Sequence, residues 1–380
     1  MFTRTIQLAS FIKNKSHFLI GPRQTGKSTL LRHLFPEAMY IDLLEADTFR
    51  SYAARPEILR QRLTSEHSII IIDEVQKLPE ILDEVQLLID RNKTLRFILT
   101  GSSARKLKRG HANLLGGRAW TSYLFPLVSK ELPNFDLQKR LCWGSLPGVI
   151  LSPSPIEELK GYVGTYLQQE IQAEGLTRSI GAFARFLEFA AMCNGEQINF
   201  SSLASDAQLP TRTLRDYFQI LEDTQIASLL PVYEKTTKRK PVSTPKFYFF
   251  DVGVANFLRN DLSLETDSAN LGKRLEHLIF HELRSYLSYE KRASKLCYWR
   301  TRTKLEIDFI VGDSLAIEVK AKNNVRLQDL TGLVTIADDC PKMRRIVVCL
   351  EALPRMQEGI EFYPVDVFLK KLWAHEFQLI

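Results

Sequence analysis

The residue types and spacing near the amino end are those needed to hold a nucleoside triphosphate. The pattern GxxxxGK[ST] is matched by Gly21-Pro22-Arg23-Gln24-Thr25-Gly26-Lys27-Ser28, and Thr29 then continues into a helical sequence. The glycines let the backbone fold with its N–H groups pointing inward at phosphate, and the following helix adds its positive end. Lys27 would reach the terminal phosphates, and the Ser28 hydroxyl would bind Mg²⁺. The sequence therefore predicts that ATP binds to residues 21–29.

Two carboxylates follow the most apolar stretch of the chain. Four isoleucines at positions 69–72 lead directly into Asp73 and Glu74. At the end of a strand near the phosphates, Asp73 would hold Mg²⁺ through water. Glu74 would orient and deprotonate the attacking water, as a general base does. The alternative interpretation is an acidic turn after a buried strand, and the phosphate loop upstream makes it the weaker one.

A further apolar strand ends in hydroxyl side chains. In the additional-strand class of P-loop ATPases this strand lies between the other two, and a polar residue at its end senses the γ-phosphate. Thr100 or Ser102 would do so here, whereas a helix cap by Ser102 or Ser103 is the alternative. Arg118, after two glycines, is the first candidate for the arginine that stabilises the transition state, often from a neighbouring subunit, and Arg105 is the second. A solvated surface arginine is the alternative for both.

These residues need a sheet to position them. Short apolar stretches alternate with helical ones, which predicts a doubly wound, mostly parallel sheet with helices on both faces. The predicted strands are residues 17–20, 39–43, 68–72, 95–99 and 120–124. The run Ser152-Pro153-Ser154-Pro155 is typical of a linker, so we expect a P-loop α/β domain at residues 1–152.

The middle of the chain, residues 153–250, is predicted to be helical and to end in a winged helix-turn-helix. Two short helices meet at Leu209-Pro210, and a strand pair at 229–233 and 246–250 follows them. The second helix would offer Arg212 and Arg215 to DNA, and the hairpin would place Lys238, Arg239 and Lys240 on its phosphates. A protein-docking module with a solvated basic hairpin is the alternative.

The last part, residues 251–380, is predicted to be a mixed α/β domain with a second acidic constellation. Glu276 lies in an amphipathic helix, Asp308 in one strand, and Glu318 and Lys320 two apart in the next strand, so that the last two share a face. The pattern is similar to that of PD-(D/E)XK nucleases. Glu276, Asp308 and Glu318 would then bind a metal such as Mg²⁺, and Lys320 would activate water. DNA contact without cleavage and a purely structural role are the alternatives.

Taken together, these motifs resemble the AAA-type ATPases of an archaeal and bacterial group with a C-terminal domain of unknown function related to restriction-endonuclease folds. The resemblance spans nearly the whole chain. It rests on residues 21–30, 70–77, 99–103 and 114–118, on Gly144-Ser145-Leu146-Pro147-Gly148, and on the C-terminal acids. It implies an AAA-type parallel-sheet domain, and the predicted assembly is a homo-oligomer such as a hexameric ring.

The composition of the chain restricts the classes of protein to which it can belong. The chain has 380 residues and a formal net charge of +7, which is compatible with a polyanionic partner. It contains no apolar run of the ~20 residues that would span a bilayer and no secretory signal pattern, so a cytoplasmic protein without a membrane partner is expected. Five scattered cysteines fit reduced, buried thiols.

Two functions are compatible with these patterns. In the first, an oligomeric ATPase with ATP and Mg²⁺ as cofactors remodels or translocates on DNA, including branched DNA, and its C-terminal domain binds or cuts that DNA. In the second, the chain is a nucleotide-dependent regulatory switch whose rear domains dock protein partners. DNA-stimulated ATP turnover would distinguish the first function from the second.

Overall fold

The structure is a computed structural model, and it describes residues 2–64, 67–102, 115–167, 180–236, 241–263 and 268–379. They form two compact units. The P-loop unit comprises Thr3–Pro126 with Ile220–Ile226. The second, which we call the C-terminal unit, comprises Met1–Phe2, Leu127–Gln219 and Ala227–Ile380.

The P-loop unit contains one five-stranded sheet in which every adjacent pair of strands is parallel. Its strands are β1 (Ser16–Ile20), β2 (Met39–Asp42), β3 (Ile69–Asp73), β4 (Arg96–Gly101) and β5 (Ala119–Tyr123). They lie in the order β2-β3-β4-β1-β5. All five predicted strands are confirmed, and β4 lies between β1 and β3 as expected for the strand that ends in hydroxyl side chains.

Helices and an apolar core hold this sheet in place. The helices of the P-loop unit are α1 (Leu8–Phe11), α2 (Lys27–Leu34), α3 (Ala46–Ala54), α4 (Ile58–Arg62) and α5 (Ile81–Arg91). Three isoleucines of β3, at positions 70–72, are fully buried, and Phe97 and Leu99 of β4 are buried beside them. Burying each such side chain stabilises the fold by roughly 1.5–3 kcal/mol. The sheet is therefore stable enough to hold the polar groups at its edge in fixed positions.

The rest of the chain is mixed helix and sheet. Its helices are α6 (Leu137–Trp143), α7 (Pro147–Leu151), α8 (Pro155–Gly161), α9 (Ile180–Met192), α10 (Phe200–Asp206), α11 (Thr211–Asp223), α12 (Val252–Leu258), α13 (Ser268–Tyr289), α14 (Thr331–Asp339) and α15 (Val365–Trp373). Two antiparallel strands, β6 (Ala227–Leu230) and β7 (Lys246–Phe249), form a small sheet.

A six-stranded mixed sheet follows. Its strands are β8 (Leu296–Arg300), β9 (Glu306–Val311), β10 (Leu315–Lys320), β11 (Arg344–Cys349), β12 (Arg355–Gln357) and β13 (Ile360–Pro364), in the order β12-β13-β11-β10-β9-β8. The strands expected to carry Asp308 and Glu318 are therefore neighbours, and they pair antiparallel.

The first strand of the predicted basic hairpin lies earlier than expected. Residues 229–233 were expected to pair with 246–250, but β6 ends at Leu230. Pro231 has no N–H with which to continue the ladder. The chain instead joins β8, where the carbonyl of Pro231 accepts from the N–H of Tyr298 (2.9 Å) and the N–H of Tyr233 donates to the carbonyl of Tyr298 (2.7 Å).

The Gly144–Gly148 stretch is anchored by a distant aspartate. Gly144 has φ 73°, and a Cβ added there would lie 2.0 Å from Oδ1 of Asp251. Oδ2 of Asp251 accepts from the N–H of Ser145 (2.7 Å), and its Oδ1 accepts from the N–H of Val254 in the first turn of α12 (3.1 Å). One buried carboxylate therefore fixes both the glycine turn and the start of a helix.

Within the described part of the chain, every helix is too short or too polar to span a lipid bilayer.

Candidate functional site

The predicted phosphate loop connects the end of β1 to the start of α2. Gly26 lies just before α2 with φ 90°, and Gln24 also has a positive φ, of 60°. The N–H groups of the first turn of a helix have no acceptor within the helix. Those of Lys27, Ser28 and Thr29 are in this position, so the loop ends in a set of donors suited to an anion.

Gly21 is the residue at which the loop leaves the sheet, and no side chain fits there. A Cβ at this position would lie 2.3 Å from the carbonyl oxygen of Leu124. The N–H of Gly21 donates to the carbonyl of Gly101 at the end of β4 (3.2 Å). The loop therefore starts close against two strands of the sheet.

The Lys27 ammonium lies inside the loop. Its Nζ donates to the carbonyl oxygens of Gly21 (2.8 Å) and Pro22 (3.1 Å), and the residue is 5% exposed. Thr25 closes the loop by donating its hydroxyl to the same Pro22 carbonyl (2.9 Å). A phosphate would offer this cation a stronger, charge-assisted acceptor than a carbonyl does.

Arg4, in the N-terminal segment, holds the loop through hydrogen bonds. No sequence motif identified this residue. Its Nη1 donates to the carbonyl of Thr25 and its Nη2 to the carbonyl of Phe125, both at 2.6 Å. The guanidinium thus ties the loop backbone to the segment that follows β5.

Asp73 and Glu74 are connected through Thr100. Asp73 is the last residue of β3, and its Oδ1 accepts a short hydrogen bond from the hydroxyl of Thr100 on the neighbouring strand β4. The same hydroxyl accepts from the N–H of Glu74 (3.0 Å). All three residues are buried. The structure therefore brings together the predicted metal-binding acid, the predicted general base and one of the two predicted sensors.

Tyr40, in β2, is the second residue that the motifs did not reveal. Its hydroxyl donates a short hydrogen bond to Oδ2 of Asp73. Burial and this carboxylate raise the pKa of Tyr40 above its usual value, while the nearby hydroxyl of Ser28 acts in the opposite direction. Tyr40 is thus close to both predicted Mg²⁺ ligands. The hydroxyl of Ser28 and the carboxylate of Asp73 are hard oxygen donors, a set that fits Mg²⁺.

Glu74 is held through Gln76. The backbone of Glu74 has a positive φ of 58°, which turns the chain sharply after β3. The amide Nε2 of Gln76 donates to Oε2 of Glu74 and to the hydroxyl of Ser102 (3.2 Å). The amide Oε1 of Gln76 is buried and has no hydrogen-bond partner within the described part of the chain. Ser102 is therefore linked to the predicted base indirectly, through the amide of Gln76, which no sequence motif identified.

Arg118 is not brought to the phosphate loop of its own chain. It precedes β5, whose first residue pairs with Ser16 and whose last pairs with Ile20, so it lies at the opposite edge of the sheet, about 13 Å along the strand. Its guanidinium makes a two-point ion pair with Asp90 (2.8 and 2.9 Å), which raises the pKa of Arg118 and lowers that of Asp90. Arg105 lies outside the described residues.

The four C-terminal candidates do lie together. Oδ2 of Asp308 accepts from the N–H of Val319 (2.8 Å), which joins β9 to β10 beside Glu318. The Nζ of Lys320 contacts Oε1 of Glu318 (2.5 Å). Burial raises the pKa of Asp308 well above its usual value, and Glu318 and Glu276 raise it further.

Lys246, at the start of β7, completes this cluster and was not predicted. Its Nζ lies 2.9 Å from Oε1 of Glu276, 2.6 Å from Oε1 of Glu306 and 3.6 Å from Oδ1 of Asp308. Burial disfavours its charge, but these carboxylates prevail and raise the pKa of Lys246 well above its usual value. In this arrangement the space between the acids already holds a cation, so the cluster does not fit a divalent metal.

The predicted DNA-binding face is exposed where it is described. Arg212 and Arg215 of α11 are exposed, whereas Leu214 and Phe218 face the interior. The Arg215 guanidinium stacks on Phe200 at 5.2 Å. Lys238, Arg239 and Lys240 lie outside the described residues.

Comparison with known proteins supports the prediction of an ATPase domain in the amino-terminal part of the chain. Residues 13–132 match a family model described as an AAA domain, and this span contains the loop and both carboxylates. Residues 134–268 and 271–368 match two models described as domains of unknown function. An uncharacterized protein of Mycobacterium tuberculosis is 26% identical over 80% of this chain and 69% of its own length. One of Methanocaldococcus jannaschii is 24% identical over 82% of this chain and 75% of its own length.

Two solved structures are similar in part. A Walker-type ATPase of Pyrococcus abyssi is 17% identical, over 66% of this chain and 93% of its own, with a TM-score of 0.48. The RuvB Holliday junction branch migration motor of Thermotoga maritima is 15% identical, over 59% of this chain and 88% of its own, with a TM-score of 0.28. At these TM-scores neither likeness establishes a shared fold. The AAA-domain match and the parallel sheet support an AAA-type P-loop ATPase domain at the amino end.

Proposed function

We propose that this chain hydrolyses ATP at the edge of the parallel sheet of the P-loop unit. The observation that carries the proposal is the hydroxyl of Thr100, which donates to Asp73 and accepts from the N–H of Glu74. This hydroxyl links the carboxylate of Asp73, the proposed metal ligand, to the backbone of Glu74, the proposed general base, at the edge of the sheet where β1 leads into the loop.

Each group has a defined task in this proposal. The loop backbone, residues 21–29, holds the phosphates, and Lys27 turns from the carbonyls of Gly21 and Pro22 to the terminal phosphate. Ser28 and Asp73 hold Mg²⁺, which would offset the charge on the phosphates. Glu74 accepts a proton from the attacking water, and Gln76 keeps its carboxylate in position.

The positive charge that stabilises the transition state is proposed to come from a second copy of the chain. Arg118 lies too far along β5 to reach its own loop, so it would act as an arginine finger only in a homo-oligomer such as a hexameric ring. Its ion pair with Asp90 would hold it in place until a neighbouring nucleotide site is presented.

We further propose that hydrolysis drives remodelling of, or translocation on, DNA in the cytoplasm. Support comes from the exposed pair Arg212 and Arg215 on α11, from the basic segment that follows β6, and from the net charge of +7. The carboxylate cluster of the C-terminal unit would contact or cut that DNA. Cleavage would require Lys246 to leave the position that a metal would need.

A nucleotide-dependent switch that docks proteins is the second candidate, and one observation favours it. Both ends of the segment between β6 and β7 are attached to β8: Tyr233 donates to Tyr298 (2.7 Å), and Val242 donates to the carbonyl of Arg300 (2.9 Å). Lys235 also forms an ion pair with Asp313 (2.6 Å). Lys235 and the backbone at Tyr233 and Val242 are therefore already engaged by the sheet, which leaves these described residues less free to follow a DNA backbone.

The deciding experiment measures the ATPase rate with single-stranded, duplex and branched DNA. Wild type should be stimulated by at least one of these, and Lys27→Ala should abolish turnover on all of them, while Lys160→Ala, a change at an exposed lysine, should behave as wild type. Turnover by wild type that is indifferent to every DNA would support the switch. No turnover or ATP binding by wild type would remove both functions.

Cleavage needs its own assay. If DNA displaces Lys246 from the cluster, wild type should nick DNA with Mg²⁺ or Mn²⁺, and Asp308→Ala and Lys320→Ala should not. Equal nicking by all three proteins would show a contaminant and remove the nuclease proposal.

A further inference from the structure

Lys246 lies at the centre of the carboxylate cluster and is almost inaccessible to solvent. Its side chain is 4% exposed, and its three carboxylate neighbours come from two separate elements: Glu276 from α13, and Glu306 and Asp308 from β9. A buried ammonium persists only when anions surround it closely. Here they do, at 2.6–3.6 Å.

The charges of the cluster are nearly balanced without a metal. Its carboxylates are Glu276, Glu306, Asp308 and Glu318. Three cations face them: Lys246 at the centre, Lys320 on Glu318 (2.5 Å), and Arg300 on Oε2 of Glu306 (2.8 Å). Four carboxylates against three cations leave little electrostatic demand for a divalent ion.

The oxygens nearest the centre are already in use. Oε1 of Glu276 accepts from Lys246 and from the hydroxyl of Tyr248 (2.5 Å). Oδ2 of Asp308 accepts from Val319, and its Oδ1 faces Lys246. Mg²⁺ needs carboxylate oxygens at about 2.0–2.1 Å, so it cannot share these atoms with an ammonium at the same centre.

One carboxylate oxygen of the cluster can still accept a hydrogen bond or bind a cation. Oε2 of Glu318 is buried and has no hydrogen-bond partner within the described ranges, and the residue is 7% exposed. Lys246 and Glu276 both act electrostatically on this carboxylate, so it belongs to the same centre. An orphaned carboxylate oxygen is costly to bury, and a bound cation would satisfy it.

From these observations we propose that Lys246 is a built-in counter-ion that closes a divalent-cation site formed by Glu276, Asp308 and Glu318. The ammonium and the metal compete for the same carboxylates, so the site binds Mg²⁺ or Mn²⁺ only when Lys246 is absent or displaced. The inference rests on the placement of these acids in the proposed function, but it concerns metal binding and does not depend on cleavage.

The test uses the full chain without nucleotide and follows the electron paramagnetic resonance signal of free Mn²⁺. Wild type and Asp308→Asn should give the same titration, because the site is closed. Lys246→Met should take up one additional Mn²⁺ per chain, at least about tenfold more tightly than wild type binds it, and the added Asp308→Asn change should remove that ion. Lys273→Met is the matched control: it removes a half-exposed lysine paired with Glu196, and it should gain no site.

Removing the central cation leaves buried acids close together, so Lys246→Met could unfold. The double variant Lys246→Met, Glu306→Gln removes one negative charge as well and keeps the three proposed ligands. Circular dichroism would show which variant is folded, and the Mn²⁺ titration is then carried out with the folded variant.

Two results would overturn the inference. One is wild-type uptake of Mn²⁺ that is lost in Asp308→Asn, which would mean that the site is open. The other is a folded variant without Lys246 that binds no more Mn²⁺ than wild type does. A variant that binds Mn²⁺ but cuts no DNA would remove the cleavage proposal and leave this inference standing.

Discussion

The hydroxyl of Thr100 donates a hydrogen bond to the carboxylate of Asp73, across two neighbouring parallel strands that end at the same edge of the sheet. Because the same hydroxyl also accepts from the backbone N–H of Glu74, one side chain orients the carboxylate of Asp73 and fixes the backbone at Glu74. A hydroxyl that is donor and acceptor at once has no apolar substitute.

Thr100→Val should therefore lower kcat for ATP by about 10–100-fold, since groups that hydrogen-bond to a metal-binding carboxylate contribute on this scale. KM should change much less, because the proposed phosphate loop is untouched. Thr100→Ser keeps the hydroxyl and should retain most of the activity. Steady-state kinetics of the three proteins would check this, and an unchanged kcat in Thr100→Val would show that Thr100 has no part in catalysis.

Glu74→Gln should reduce turnover by about 10²–10⁴-fold, because an amide cannot accept the proton of the attacking water. Affinity for ATP, measured by isothermal titration, should stay near that of wild type. Gln76→Ala should have a smaller effect of the same kind, because it frees the Glu74 carboxylate without removing it. If Glu74→Gln turns over ATP at the wild-type rate, the base lies elsewhere.

Arg118→Ala should lower kcat by about 10³-fold if the arginine completes a neighbouring site. A mixture of Arg118→Ala with Glu74→Gln should then regain part of the activity, because the second chain supplies an intact arginine to the intact site of the first. Asp90→Asn, which releases Arg118 from its ion pair, should remain active. A mixture no more active than its components would remove the role in trans.

DNA binding should depend on the exposed face of α11. Arg212→Glu with Arg215→Glu should weaken binding in gel shifts and reduce the slope of log affinity against log salt by about 2, one for each lost phosphate contact. Lys139→Glu with Lys160→Glu makes the same change in net charge at other exposed lysines. Equal loss in both double variants would mean that only net charge matters.

Stability should fall with rising pH because of Glu282. Burial raises the pKa of Glu282 to about 7, even though it accepts hydrogen bonds from Ser129 (2.7 Å) and the indole of Trp373 (2.7 Å). A folded-state pKa above the unfolded value of 4.5 stabilises the fold fully below pH 4.5, and that contribution is lost as pH rises through 7.

Relative to Glu282→Gln, wild type should thus lose of the order of 3 kcal/mol of unfolding free energy between pH 4.5 and 8. Urea unfolding followed by tryptophan fluorescence at several pH values would measure the difference, and the comparison of two proteins cancels all other titrating groups. Parallel curves for the two proteins would show that Glu282 does not titrate in this range.

The sequence was most informative where a local pattern determines the structure. The isoleucines at 69–72 have no polar alternation, as expected for a strand covered on both faces, and the structure buries those at 70–72 completely. The carboxyl ends of parallel strands meet at one edge, so Asp73 and Thr100 could be expected to lie near the loop. The proposed roles of these residues, and the domain boundaries at 152 and 250, stay predictions.

Other parts of the site depend on contacts between residues far apart in the chain. Tyr40 reaches Asp73 from another strand, Arg4 reaches Thr25 from the N-terminal segment, and Lys246 reaches Glu276 across 30 positions. No spacing rule connects such residues, since tertiary packing alone places them. The shift of the first hairpin strand had a local signal, because Pro231 cannot donate to the ladder.

The close approach of Gly144 to Asp251 has a consequence for tracing distant relatives. A side chain at position 144 would collide with the carboxylate, and loss of the carboxylate would leave the N–H of Ser145 and the start of α12 without their acceptor. Evolution should therefore keep or replace both positions together. This paired signature, with its partners more than a hundred residues apart, should identify chains with the same connection even when the intervening sequence has diverged.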